Sequence, residues 1–207
     1  MNLVIIGTGY VGLISGLGYA KLGHRVAWVD IDANNIAKLD RGEVPFFEPG
    51  LKELLEEMQT AGQIMFTTNL ESVMSDAEIV MIAVGTPSLP DGHADLSAVE
   101  SVAKKIGQVL DHEIILVTKS TVPVGTNKRL LATVKEELNA AGHPELDTMV
   151  TMVSLPEFLR EGSARQDFLN QDRIVIGCDD KIATTMIDHL HRELMRRDCR
   201  CLLRQQR

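Results

Sequence analysis

The chain has 207 residues, 44% of them hydrophobic and 24% charged, and a formal net charge of −8. A chain of this length buries enough apolar surface to fold without disulfide staples, and its composition is that of an ordinary globular protein. No apolar run reaches the ~20 residues of a membrane span, and net acidity argues against a surface for nucleic acid or anionic lipid, which needs clustered Lys and Arg.

The N-terminus enters a strand-like run at once, with no basic segment or cleavage site ahead of it, so a cytoplasmic setting is expected. The cysteines are Cys178, Cys199 and Cys201. Their spacing fits neither a disulfide framework nor a four-ligand zinc site, which suits a reducing compartment and gives no reason to expect a metal.

In chain order, strand-like runs at 3–6, 25–29, 64–66, 78–84, 113–117, 149–153 and 173–176 alternate with helical stretches at 11–22, 33–41, 50–61, 96–110, 126–141 and 181–196. Runs such as 79–84 and 114–117 are continuously apolar, as in strands covered on both faces. The predicted fold is therefore α/β, a doubly wound parallel sheet. Asp32 and Asp95 are placed to cap helices, and Gly23, Gly42, Gly62 and Gly142 to end them.

Gly7-Thr8-Gly9-Tyr10-Val11-Gly12 follows the first strand and opens the first helix. Gly7 permits the tight turn, Gly9 a close approach of backbone to a pyrophosphate, and Gly12 close packing of helix on strand. The helix start, with its free amides and dipole, holds the negative phosphates. The second strand ends in Asp30, roughly twenty residues on, where a carboxylate can accept from both hydroxyls of an adenosine ribose and repel a 2′-phosphate. The cofactor predicted is NAD in preference to NADP.

Further motifs follow: Phe46-Phe47-Glu48-Pro49-Gly50-Leu51, Val84-Gly85-Thr86-Pro87-Ser88, Lys119-Ser120-Thr121-Val122-Pro123-Val124-Gly125-Thr126 and Pro156-Glu157-Phe158-Leu159-Arg160-Glu161-Gly162. Gly85, Thr86 and Thr121 fall just after strand ends, where doubly wound sheets bind ligands. A hydroxyl that merely caps its loop is the alternative for each Thr. Glu157 and Glu161 are four apart, so on a helix both would share a face, and paired carboxylates suit acid/base work near neutral pH. The alternative is a solvated helix face with Arg160 and Arg165 as partners.

These motifs resemble the UDP-glucose and GDP-mannose dehydrogenases, with the Ser-Thr-Val-Pro-Val-Gly form closer to the UDP-glucose branch. The resemblance runs from Met1 to about Leu194 and implies a Rossmann-type NAD-binding domain over 1–194 of an enzyme that oxidises a sugar nucleotide twice to a uronic acid. By resemblance Thr86 touches the cofactor, and Thr121 lies near the nicotinamide and helps position a water. Glu157 is the acid/base group, Glu161 contacts both substrate and cofactor, and the segment Glu157, Phe158, Leu159, Arg160, Glu161 faces the UDP-sugar. Two positions depart from the family. Leu155 replaces an Asn, and Asn35 replaces a Lys that helps hold the adenosine ribose.

The family's Gly-x-Cys-Phe-Pro-Lys-Asp segment, which carries the Cys nucleophile, does not occur in this sequence. The second oxidation passes through a thiohemiacetal and a thioester, so a chain without that thiolate is expected to be catalytically incomplete, with its substrate domain absent. Residues 195–207 are basic, unlike the family, and look like a frameshifted, frayed tail; a metal pair at Cys199 and Cys201 is the weaker reading. Cys178 is expected to be a small buried thiol. Loss of the distal half would leave the sugar-nucleotide site half built and apolar surface open to self-association. A non-catalytic NAD-binding or regulatory module, and a dehydrogenase for GDP-mannose or an N-acetylated sugar nucleotide, are the alternative functions.

Overall fold

The computed structural model describes residues 1–195 and 200–204. From the N-terminus it runs β1 (Asn2–Ile6), α1 (Tyr10–Lys21), β2 (Arg25–Val29), α2 (Ala33–Asp40), α3 (Leu51–Thr60), β3 (Ile64–Thr67), the one-turn α4 (Glu71–Met74), β4 (Ile79–Ile82), α5 (Ser97–Val109), β5 (Ile114–Thr118) and α6 (Thr126–Ala141). A 3₁₀ turn (Pro144–Thr148) leads to β6 (Val150–Ser154), then α7 (Ala164–Leu169), β7 (Arg173–Gly177), α8 (Lys181–Leu190), α9 (Arg192–Met195) and β8 (Arg200–Arg204).

The strands form one sheet in the order β3-β2-β1-β4-β5-β6-β7-β8. β1 pairs in parallel with β2 on one side and β4 on the other, so the strand order reverses between β1 and β4. Successive side chains of a strand point to opposite faces, and both faces of this sheet are covered. Leu3 and Ile5 of β1 join one apolar layer, with Trp28, Leu13 and Leu17, while Val4 and Ile6 join the other, with Val99, Ile106 and Leu130. That two-sided burial explains the continuous apolar runs. Trp28 stacks on Phe66 at 5.0 Å and donates from its indole N–H to the Gly12 carbonyl at 3.0 Å, tying α1 to the sheet.

Asp32 caps α2 as expected, accepting from the Asn34 and Asn35 amides, and Gly23, Gly42, Gly62 and Gly142 all have positive φ. The doubly wound, mostly parallel sheet is present as expected, and two details differ from a uniform reading. β7 is antiparallel to β6, joined at Ser154 and Gly177, so the sheet is parallel only from β3 to β6 and between β7 and β8. The frayed tail is also not found throughout: residues 200–204 pair in parallel along the whole of β7. The physical reason is the edge of β7, whose amides and carbonyls need partners. Met195 belongs to α9. Cys199, and with it the suggested Cys199–Cys201 pair, lies outside the described residues, while the Cys201 thiol donates to Asp188 at 3.2 Å. Cys178 is buried as expected, its sulfur accepting from the Asp180 amide at 3.3 Å.

Candidate cofactor site

The reversal of strand order opens a crevice at the carboxyl ends of β1 and β4, the place where open α/β sheets bind ligands. Gly7 sits there with φ 111°, and a Cβ on it would lie 2.7 Å from the Ala83 carbonyl oxygen just past β4, so both the turn and the close approach require glycine. A Cβ on Gly12 would lie 2.1 Å from the Gly7 carbonyl oxygen. Gly9, the residue before α1, is different: nothing lies within 4 Å of where its Cβ would stand. No side chain caps α1 and no acid occupies its first turn, which contains Tyr10, Val11 and Gly12. Free helix-start amides facing open space are the arrangement a diphosphate needs.

Asp30, at the tip of β2, is half-buried beside this turn. Its Oδ2 accepts from the Thr8 amide at 2.7 Å and the Thr8 hydroxyl at 2.6 Å, and its Oδ1 from the Asp32 amide at 3.0 Å. A carboxylate offers about four lone-pair sites, so Oδ1 keeps capacity for a ribose hydroxyl. Asn35 lies in the first turn of α2, half-buried, with its amide on the Asp32 cap at 3.3 Å.

The loops after β4 and β5 meet at the next position along the crevice. Thr86 Oγ1 donates to the Thr121 carbonyl at 2.9 Å, and Ser120 Oγ donates to the Val84 carbonyl at 2.6 Å. Gly85 and the Thr121 side chain are exposed above them. The hydroxyl of Thr86 therefore bonds to the neighbouring loop while standing on the crevice edge.

The segment after β6 is not helical. Residues 155–160 have no regular secondary structure and 161–163 turn, with α7 starting only at Ala164, so Glu157 and Glu161 share no helix face. The reason lies in local bonding and packing. Leu155 is buried in the core, its amide on the Thr118 carbonyl at 3.0 Å, which extends the β6 direction past Ser154. The Glu157 carboxylate turns back to accept from the Leu159 amide at 2.5 Å. The expected arginine partners are also committed elsewhere: Arg160 pairs with Asp167 at 2.7 Å and Arg165 donates to the Pro49 carbonyl at 3.3 Å. Arg160 holds the Asp167 carboxyl down to about 2. Phe158 is partly exposed under the Arg173 guanidinium, 4.6 Å from the ring centre, whereas Leu159 packs on the core.

Two charged residues of the quoted motifs were not singled out from sequence. Glu48 is buried and accepts from the Tyr10 hydroxyl at 2.6 Å and the Gly162 amide at 2.9 Å. Burial alone would push its carboxyl up, but the Tyr10 hydroxyl and the amides of Gly162, Arg165 and Ala164 outweigh it and hold it below the usual range. Lys119, directly after β5, is buried, and desolvation brings its ammonium down to about 8 against the opposing pull of Glu157. A charged side chain inside a largely apolar motif was the available signal for both.

The turn, the open amides and the strand-tip carboxylate fit a dinucleotide; they define the nucleotide-binding domain of a nicotinamide-dependent dehydrogenase. The profile of the UDP-glucose/GDP-mannose dehydrogenase family, NAD binding domain, matches residues 1–195, and the chain belongs to that family. It is 44% identical over 187 residues to a UDP-glucose 6-dehydrogenase of Bacillus subtilis, covering 90% of this chain and 41% of the relative. It is 45% identical over 197 residues to one of Rhizobium meliloti, covering 94% of this chain and 44% of the relative. The chain thus spans less than half the length of these curated relatives. Among solved structures, a UDP-glucose dehydrogenase from Pyrobaculum islandicum aligns over 100% of this chain and 46% of its own, with a TM-score of 0.90 at 37% identity. A ternary complex of GDP-mannose dehydrogenase from Pseudomonas aeruginosa gives the same TM-score at 30% identity, over 47% of its chain. NAD is the cofactor of the domain. Among the described residues no helix is long and apolar enough to cross a membrane.

Proposed function

We propose that this chain is the NAD-binding half of a UDP-glucose 6-dehydrogenase, working in the conversion of UDP-glucose to UDP-glucuronate with two NAD. The observation that carries the reading is the glycine turn at the strand-order reversal with Asp30 beside it, in a chain 42–45% identical to three UDP-glucose 6-dehydrogenases. Bound NAD supplies the hydride acceptor. The amides at the start of α1, from Gly9 through Tyr10, Val11 and Gly12, hold its diphosphate, and Asp30 and Asn35 its adenosine ribose. Gly85, Thr86, Thr121 and Glu161 border the nicotinamide, with Thr121 also positioning a water. Glu157 moves the proton, which requires its carboxylate to leave the Leu159 amide, and Phe158, Leu159 and Arg160 contact the UDP-sugar.

The 207-residue chain alone binds NAD without turnover. Supporting this, the Cys178 thiol is packed in the core, not presented to the crevice. A cytoplasmic setting is supported by the free thiol of Cys178. Self-association is supported by the exposure of Phe47 and Val124, 88% and 92%, and a monodisperse monomer in light scattering would contradict it. The main test is NAD calorimetry beside NADH appearance with UDP-glucose. Heat without NADH is expected; NADH formation would overturn the claim of incompleteness, and absence of heat would overturn the cofactor assignment for this chain.

A further inference from the structure

Glu48 takes no part in the steps above, and its surroundings call for an explanation. It lies in the connection between α2 and α3, is 5% exposed, and its buried Oε1 makes no hydrogen bond of full geometry, only the looser approach of the Arg165 and Ala164 amides. A buried carboxylate with one oxygen poorly met is unfavourable, and an apolar residue of similar volume would fill the space at lower cost. What the charge does is hold two segments that are far apart in sequence. Oε2 receives the Tyr10 hydroxyl at 2.6 Å and the Gly162 amide at 2.9 Å, and the same hydroxyl reaches the Arg160 carbonyl at 3.3 Å. Tyr10 stands in the first turn of α1, against Phe46 with ring centres 5.0 Å apart. Gly162 closes the segment that carries Glu157 and Glu161. Short bonds to an ionised acceptor are the strong kind.

We propose that Glu48 is a positioning residue that locks Tyr10 to the 157–162 segment, so that the phosphate-binding turn and the carboxylate-bearing loop move as one unit. The importance of that coupling rests on the reading of Glu157 and Glu161 as working carboxylates; the lock itself does not. Burial and the Glu48 charge both push the Tyr10 phenol well above its ordinary value, with Glu161 adding to the effect, so the phenol stays protonated and donating. Glu48 therefore binds Tyr10 through a hydrogen that solvent does not remove in the working pH range.

Two variants test the lock in the 207-residue chain. Tyr10→Phe deletes one hydroxyl and keeps the ring against Phe46; Glu48→Gln keeps the shape and removes the charge. Without NAD, amide hydrogen exchange across 157–163 is expected to quicken roughly tenfold or more in both variants, while α1 and β1 keep their protection. With NAD, the wild-type loop slows further, and in Tyr10→Phe most of that response is lost. Glu48→Gln should also lower the Tyr10 phenol titration by the part that the Glu48 charge contributes, while burial keeps it above the ordinary value, a shift visible in near-ultraviolet absorbance that a purely structural role would not create. Tyr19, fully buried, titrates higher still. Loop exchange unchanged in Tyr10→Phe overturns the proposal even if Glu48→Gln fails to fold, as does an unshifted phenol in a folded Glu48→Gln. Absence of NAD heat in the wild type would overturn the cofactor assignment, and the exchange and titration measured without NAD would still decide on Glu48.

Discussion

Asp30 grips Thr8 twice with one oxygen: Oδ2 accepts both the Thr8 amide, at 2.7 Å, and the Thr8 hydroxyl, at 2.6 Å. The residue assigned to the ribose is therefore also part of the turn assigned to the diphosphate. Thr8→Val separates the two roles, since it removes only the hydroxyl bond. It should cost ~1–3 kcal/mol of stability, the range for a lost hydrogen bond to a charged group in a buried place, and leave NAD affinity within about tenfold. Asp30→Ala should cost at least a further tenfold in affinity. Calorimetry on the two variants decides the matter: equal losses would mean that Asp30 acts only through the turn.

Gly9 and Gly12 allow a sharper division between fold and site. A methyl at Gly12 would stand 2.1 Å from the Gly7 carbonyl oxygen and 3.2 Å from Ala83 Cβ, so the turn must shift. Gly12→Ala should lose about 3 kcal/mol, as overpacking against backbone does, together with NAD binding. A methyl at Gly9 meets nothing within 4 Å, and φ there is −67°, which any residue adopts. Gly9→Ala should melt within ~1 kcal/mol of wild type yet bind NAD at least tenfold more weakly, because the methyl occupies the diphosphate's path. Retained affinity in Gly9→Ala would place the diphosphate elsewhere.

The contrast also shows what the amino-acid sequence could express. Glycine spacing and strand-tip position are local facts, so the turn and Asp30 were readable directly, as was the sheet from runs such as Ile79–Ile82. Glu48 was not, because its role depends on Tyr10 and Gly162, which are 38 and 114 residues away. The shape of the segment carrying Glu157 and Glu161 was left open for a related reason: four-residue spacing implies a shared face only on a helix, and here the buried Leu155 continues the chain from β6, its amide on the Thr118 carbonyl. The pairing of β8 along β7 depended on an unfilled strand edge, which the basic composition of the tail does not reveal.

Lys119 offers a test of whether stability is given up at the crevice. Desolvation lowers its pKa from 10.5 to about 8, so the buried ammonium is disfavoured in the folded state. Neutral Lys119 contributes stability above 10.5, and that contribution is lost as pH falls through about 8. At pH 7 the lysine is charged in both states and the fold carries the whole penalty, ~3 kcal/mol for a shift of this size. Lys119→Met should therefore raise stability at neutral pH by up to about 3 kcal/mol, with the gain shrinking towards pH ~10. Denaturant unfolding at the two pH values measures it. A loss of stability at neutral pH would show that the ammonium has a compensating interaction in the fold.

His191 sets the acid side of the profile. It is 2% exposed; Nδ1 lies 2.7 Å from the Ile187 carbonyl and Nε2 2.9 Å from the Tyr19 hydroxyl, so the neutral ring donates to the one and accepts from the other. Burial, with added repulsion from Lys119 and His24, lowers its pKa from 6.5 to about 3. The folded ring refuses a proton that the unfolded chain accepts, so its contribution is complete above 6.5 and is lost progressively as pH falls towards 3, at ~1.4 kcal/mol per pH unit. His24, also lowered by burial, adds a slope of the same sign. His191→Phe removes the first slope only, while stranding the Tyr19 hydroxyl at a cost of ~1–3 kcal/mol. The variant should be less stable than wild type at pH 7 and lose stability more slowly on acidification, so that the two curves converge or cross near pH ~4. Parallel curves between pH ~7 and ~4 would show that His191 takes up its proton inside the folded protein and is not held as a buried neutral imidazole.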